Sequence, residues 1–204
     1  MPVRRPIATR LLAVAAVGAA LVVAAATAPA GAAATGPVDA GGTFAAPGGT
    51  GPAVTYDASQ VPLGARGAVH AVPTGSDRTV VVLHAWGLLP NETYGAHAHY
   101  LPCGATGAAA GAHYQNAPDP AVNGSLTAAS TNPAYANPAN EVWLDLVTNA
   151  DGNGRAQTVV DWPFRPTATG GPRSVILHLN PTSSGGTVPA GNAGARLACV
   201  TVPF

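Results

Sequence analysis

Eight short runs rich in β-branched and aromatic residues, each closed by Gly, Pro, Asn or Asp, constrain this chain more than any other feature. They are AVTYDA (53–58), GAVHAV (67–72), TVVVLHAWGL (79–88), TYGAHAHY (93–100), EVWLDLVT (141–148), AQTVVDW (156–162), SVILHL (174–179) and RLACVTV (196–202). Branching at Cβ suits a pleated, half-buried surface, and runs of this length bounded by turn residues predict strands. No amphipathic helix of normal length is present, so the expected class is all-β, a sandwich or flattened barrel. The stretch NADGNG (149–154) supplies residues that tolerate positive φ, and it predicts a hairpin between the fifth and sixth runs. Between Cys103 and Asn140 lies a long Gly-, Ala-, Asn- and Pro-rich segment without strand signal, a length of loop that is usually functional.

The N-terminal end has a different composition. Three arginines fall within the first ten residues, an alanine-rich apolar run follows, and ATAPAGAAA then offers several A-x-A cleavage sites. That order predicts a secretory signal peptide over 1–34, and the apolar run is too short for a stable membrane anchor. A Gly/Ala/Pro/Thr stretch over 35–52 is expected to be a flexible leader, because it has little apolar surface to bury. The remaining 53–204 is one domain by length. The chain has no lysine, and without the first three arginines six arginines face nine acidic residues, a net charge of −3 that argues against nucleic acid as a partner. The expected location is extracellular or at the cell envelope, and nothing in the strands identifies an edge for self-association. Cys103 and Cys199 are the only cysteines. In an exported chain the simplest expectation is one bridge between them, and closing a loop of that size is worth about 4–5 kcal/mol in the chain-entropy model.

The histidines carry the chemistry. His97 and His99 stand two apart in one predicted strand, so both imidazoles leave the same face while Ala96 and Ala98 point to the other. In SVILH, Val175 and Leu177 are expected to face the core and His178 the opposite side. His113 lies in the long loop within GAHY, where small neighbours allow the backbone to approach a metal. Four imidazoles without a thiolate pair suit copper better than structural zinc. His70 and His84 are expected to be structural.

The motifs GAHAHYLPCG, GAHYQNAP, SVILHL and GNAGARLACV occur in the order and approximate spacing found in the copper/zinc superoxide dismutase family, which the chain resembles from about residue 53 to its end. The resemblance implies an eight-stranded Greek-key β-barrel or sandwich of immunoglobulin-like architecture with long loops. It implies that His97, His99, His113 and His178 are copper ligands, that Arg196 guides an anionic substrate, that His113 also takes part in catalysis, and that Cys103 and Cys199 form the family's bridge. The zinc side departs from the pattern. No histidine follows His113 until His178, leaving Asp119, Glu141 and Asp145 as substitutes, a poor set for zinc; Asp145 is the one candidate to align with the zinc aspartate. The segment 179–192 also lacks the aspartate that links the two metals. The expected function is therefore a secreted, copper-dependent superoxide dismutase without zinc, whose substrate is the superoxide anion. The alternative is a non-enzymatic copper-binding or storage protein on the same fold.

Overall fold

A computed structural model describes residues 1–2, 36–122, 125–166 and 170–204; the expected signal peptide lies almost wholly outside the described residues. Among the described residues nine strands form two antiparallel sheets: β1 (Val38–Thr43), β2 (Ala53–Thr55), β3 (Arg66–Pro73), β4 (Thr79–Trp86), β5 (Thr93–His99), β6 (Leu146–Val147), β7 (Gly154–Val160), β8 (Ser174–His178) and β9 (Arg196–Thr201). One sheet has the order β1-β3-β4-β7 and the other β2-β9-β8-β5-β6. After the β3–β4 hairpin the chain crosses to the second sheet for β5 and β6, then returns to lay β7 beside β4. That return makes a Greek key, so the all-β sandwich expected from the sequence is the observed class.

Period-two alternation builds the core. Val69 and Ala71 of β3 and Val81, Leu83 and Ala85 of β4 point between the sheets, where they meet Ala96, Ala98, Val175 and Leu177 from β5 and β8. The outward residues of the four-stranded sheet are partly exposed. Those of the five-stranded sheet are not: β8 is buried at every position and β5 at all but its first. Its outer face is covered by the long segment after Cys103, which holds two short 3₁₀ turns, Gly107–Ala110 and Pro120–Val122. The Cys103–Cys199 disulfide is formed and pins the start of this cover onto β9, beside a small apolar cluster of Ala110 and Ile176.

Two expectations are corrected. The segment 35–52 is not a featureless leader, because β1 pairs with β3 over six residues and Phe44 is buried at 1 % exposure. Its Gly and Ala positions hide a strand whose hydrogen bonds come from a partner, and Gly41 fits because a Cβ there would lie 2.6 Å from the Gly67 carbonyl oxygen. The 141–148 and 156–162 runs do not form a hairpin ladder either. Their strands β6 and β7 belong to opposite sheets, and the runs share an isolated bridge, Thr148 to Gly154, in place of a ladder. The intervening turn is an inter-sheet corner: Gly152 sits at φ +74°, and a Cβ there would lie 2.1 Å from the Leu88 carbonyl oxygen.

Candidate metal centre

Strand parity brings the first two histidines together. Ala96 and Ala98 enter the core, so His97 and His99 emerge on the covered face of β5, both fully buried. On the neighbouring β8, Gly95 is paired with His178 and His97 with Ile176, which puts His178 on that same face. An isolated bridge between His99 and His113 draws the loop histidine in from above. One ligand atom from each of His97, His99, His113 and His178 lies within 4.8 Å of all the others.

Hydrogen bonds settle which nitrogen each ring offers. His99 Nδ1 donates to the Gly111 carbonyl (3.1 Å), and His178 Nδ1 donates more weakly to that of Gly194 (3.4 Å). His113 Nδ1 donates to Glu141 Oε2 (3.0 Å). In all three rings Nε2 is left with its lone pair, and the Nε2 atoms of His99 and His178 face one another at 3.4 Å. His97 is reversed. Thr182 Oγ1 gives its proton to Asp145 Oδ1 (2.5 Å) and therefore accepts from His97 Nε2 (2.6 Å). His97 Nδ1 is consequently the unprotonated atom, and it is buried with no hydrogen-bond partner. Four converging lone pairs, one of them orphaned, fit a cation that prefers imidazole.

Electrostatics agree. Burial, with the neighbouring imidazoles, holds His97 and His99 well below the ordinary histidine range and brings His178 down to about 3. The rings are thus neutral at physiological pH, the form that binds metal.

The three carboxylates weighed as zinc ligands lie outside the cluster, and each has other partners. Glu141, 1 % exposed, receives hydrogen bonds from His113 Nδ1, Trp143 Nε1 (2.8 Å) and Gln115 Nε2 (2.8 Å). Asp145 receives the Ala96 amide (3.0 Å) and both the amide (2.6 Å) and hydroxyl of Thr182. Asp119 receives Ser130 Oγ (2.5 Å) and the Ala121 amide (2.8 Å). Sequence reasoning counted Glu141 and Asp145 only as zinc substitutes; both instead orient histidines, one directly and one through Thr182. The only available signal was an acidic residue in an otherwise apolar run, which does not name its partner.

Arg196 reaches the same face through a β-bulge. Leu177 pairs with Ala198 but His178 pairs with Arg196, so Leu197 is the extra residue, and Leu197 and Ala198 both enter the core. Without that bulge Arg196 would point inward. Its Nη1 donates to the Gly107 carbonyl (2.8 Å), and a Cβ at Gly107 would lie 2.7 Å from the Arg196 Cβ, so glycine there leaves the arginine its place. Burial lowers its pKa somewhat, yet a guanidinium remains cationic. Arg196, His113 and His178 line one cleft of about 240 Å³, with Ser130, Thr131 and Asn192 among its walls. His70 and His84 lie apart from this centre, on the outer face of the other sheet.

Fold and site together define a Greek-key β-sandwich with a buried four-histidine cluster able to bind a metal ion. No family model and no curated protein sequence matches the chain. Among solved structures it is similar to the clock protein EA4, at 18 % identity and TM-score 0.45 over 82 % of this chain and 92 % of that one. It is also similar to a double mutant of a SOD-like protein from Bacillus subtilis (18 % identity, TM-score 0.44, 66 % and 87 % covered). A third is the Cu/Zn superoxide dismutase from Brucella abortus (20 % identity, TM-score 0.45, 82 % and 98 % covered).

Proposed function

We propose that the protein is an exported, copper-dependent superoxide dismutase that converts superoxide to oxygen and hydrogen peroxide. The observation that carries this reading is the convergence of four imidazole nitrogens beside a cleft that also holds Arg196. Copper bound there would supply one-electron chemistry, alternately taking an electron from one superoxide and giving one to the next. His97, His99, His113 and His178 would hold it, and no site for zinc is expected, because Glu141 occupies the Nδ1 side of His113. Arg196 offers a fixed positive charge that draws the superoxide anion into the cleft and orients it. His97, His99 and His178 are buried, whereas the His113 side chain keeps 11 % of its surface open. His113 is therefore the ligand ring best placed for proton transfer: Nε2 would exchange the metal for the proton that is passed to the nascent peroxide, while Glu141 keeps Nδ1 protonated and the ring fixed.

The disulfide and the signal-like leader support an oxidising, extracytoplasmic location, and among the described residues no helix is long and apolar enough to cross a membrane. One observation favours a second reading, a copper-binding or storage protein without turnover. Arg196 is the only arginine or carboxylate-bearing residue in the lining of the cleft, so long-range steering is thin. Superoxide consumption by the copper-reconstituted protein, beside a His97→Ala/His99→Ala double variant with metal content measured on both, separates them. Turnover lost in the variant together with copper supports the dismutase; bound copper without turnover supports the second reading.

A further inference from the structure

The outer face of the four-stranded sheet carries a second pair of histidines that the buried centre does not use. His70 of β3 and His84 of β4 are diagonal neighbours, since Ala68 is paired with His84 and His70 with Val82. Both imidazoles therefore leave the same face from a rigid antiparallel ladder. Their ring centroids are 5.9 Å apart with planes at 82°. Within the buried cluster the corresponding separations run from 3.9 to 6.3 Å, and His113 and His178 stand 5.8 Å apart at 76°. Ring spacing thus falls within the range found in the four-histidine cluster.

Each ring is also held. Asp39 of β1 lies directly opposite His70 in register, and its Oδ1 binds His70 Nδ1. A carboxylate on Nδ1 fixes the tautomer and leaves Nε2 as the ligand atom, the arrangement found around many metal-bound histidines. His84 is stacked on Trp86 at 5.5 Å with planes 8° apart. Arg155, opposite His84 in register, turns its guanidinium toward Gln157 Oε1 (2.6 Å). Shallow grooves of about 370 Å³ open on either side of Trp86, one lined by His84 and the other by His70 and Asp39, so solvent reaches both rings.

We propose that His70 and His84, with Asp39 behind His70, form a second, solvent-open site for one imidazole-preferring divalent ion, copper(II) or zinc(II). Its open shell and two protein ligands make it weaker than the four-histidine centre, and it lies on the opposite sheet, so it stands or falls independently of the proposed activity.

The full-length secreted protein is titrated with copper(II), followed by calorimetry and electron paramagnetic resonance, beside His70→Ala/His84→Ala and His97→Ala/His99→Ala. The wild type should take up two equivalents with distinct signals. His70→Ala/His84→Ala should lose only the weaker one, and His97→Ala/His99→Ala only the tighter one. A single equivalent in the wild type, or a second equivalent kept by His70→Ala/His84→Ala, overturns the proposal. Because His84 is partly exposed, the single variant His84→Asn tests the same point without disturbing the fold. Unchanged weak binding in that variant also overturns it.

Discussion

Glu141 shows how much of this centre is decided by residues that do not touch the metal position. A fully buried carboxylate is costly unless every oxygen is satisfied, and here three donors surround it, one of them a ligand ring. Glu141→Gln removes the charge and adds a donor where only acceptors are wanted. Copper affinity should fall by about 10–100-fold, the usual loss when a ligand's carboxylate partner is changed; competition against a chromophoric chelator measures it, and an unchanged affinity would sink the positioning role. Gly107→Ala works on the other side of the cleft. The added methyl collides with the Arg196 Cβ and displaces the guanidinium from its carbonyl. The expected outcome is full copper content with a superoxide rate lowered by about tenfold or more, as when a focusing charge is lost. Pulse radiolysis on the metal-replete variant reads it.

At the level of elements, the loop between β8 and β9 is tied to the entry of β6 by one side chain. Thr182 bonds Asp145 twice and accepts from His97, so the loop, the strand entry and a ligand share one hydrogen-bond network. Thr182→Val keeps the shape and removes the hydroxyl. His97 Nε2 then loses its acceptor, the ring is free to change tautomer, and copper should be released more readily to chelator, by about tenfold or more. Retention equal to wild type in a timed chelator challenge would show that packing alone orients His97.

For the whole molecule, two consequences follow from burial. Phe44, just past β1, packs in the main core, so Phe44→Ala should cost about 3–5 kcal/mol in denaturant unfolding; a loss near zero would restore the picture of a dispensable leader. Acid sensitivity of the metal-free protein has a definite sign. The unfolded chain's histidines take up protons near pH 6.5, whereas in the folded state His178 does so only at about 3 and His97 and His99 are shifted in the same direction. Stability from these neutral rings is therefore complete above about pH 6.5 and is lost as pH falls toward 3. Urea midpoints of the metal-free protein should drop steadily through that window, and copper should raise them by binding the neutral rings of the folded chain.

What the sequence by itself determined is local and periodic. Alternation in GAHAH and SVILH set which side each residue takes, and so placed His97, His99 and His178 on one face; every expected β run contains a strand, and Cys103 meets Cys199. Alternation depends on neighbours two residues away, within reach of reading along the chain, and the bridge was legible because the sequence holds just two cysteines. What only the tertiary structure decided depends on partners far off in sequence. The strand in the Gly- and Ala-rich leader exists because β3 supplies its hydrogen bonds. The NADGNG turn joins two sheets because β7 pairs with β4 in one sheet and β6 with β5 in the other. Arg196 faces the histidines because a bulge at Leu197 reverses the parity that uninterrupted alternation would impose. Glu141 and Asp145 orient histidines because burial leaves a carboxylate no water to turn to, and the donors that replace it come from other strands and loops.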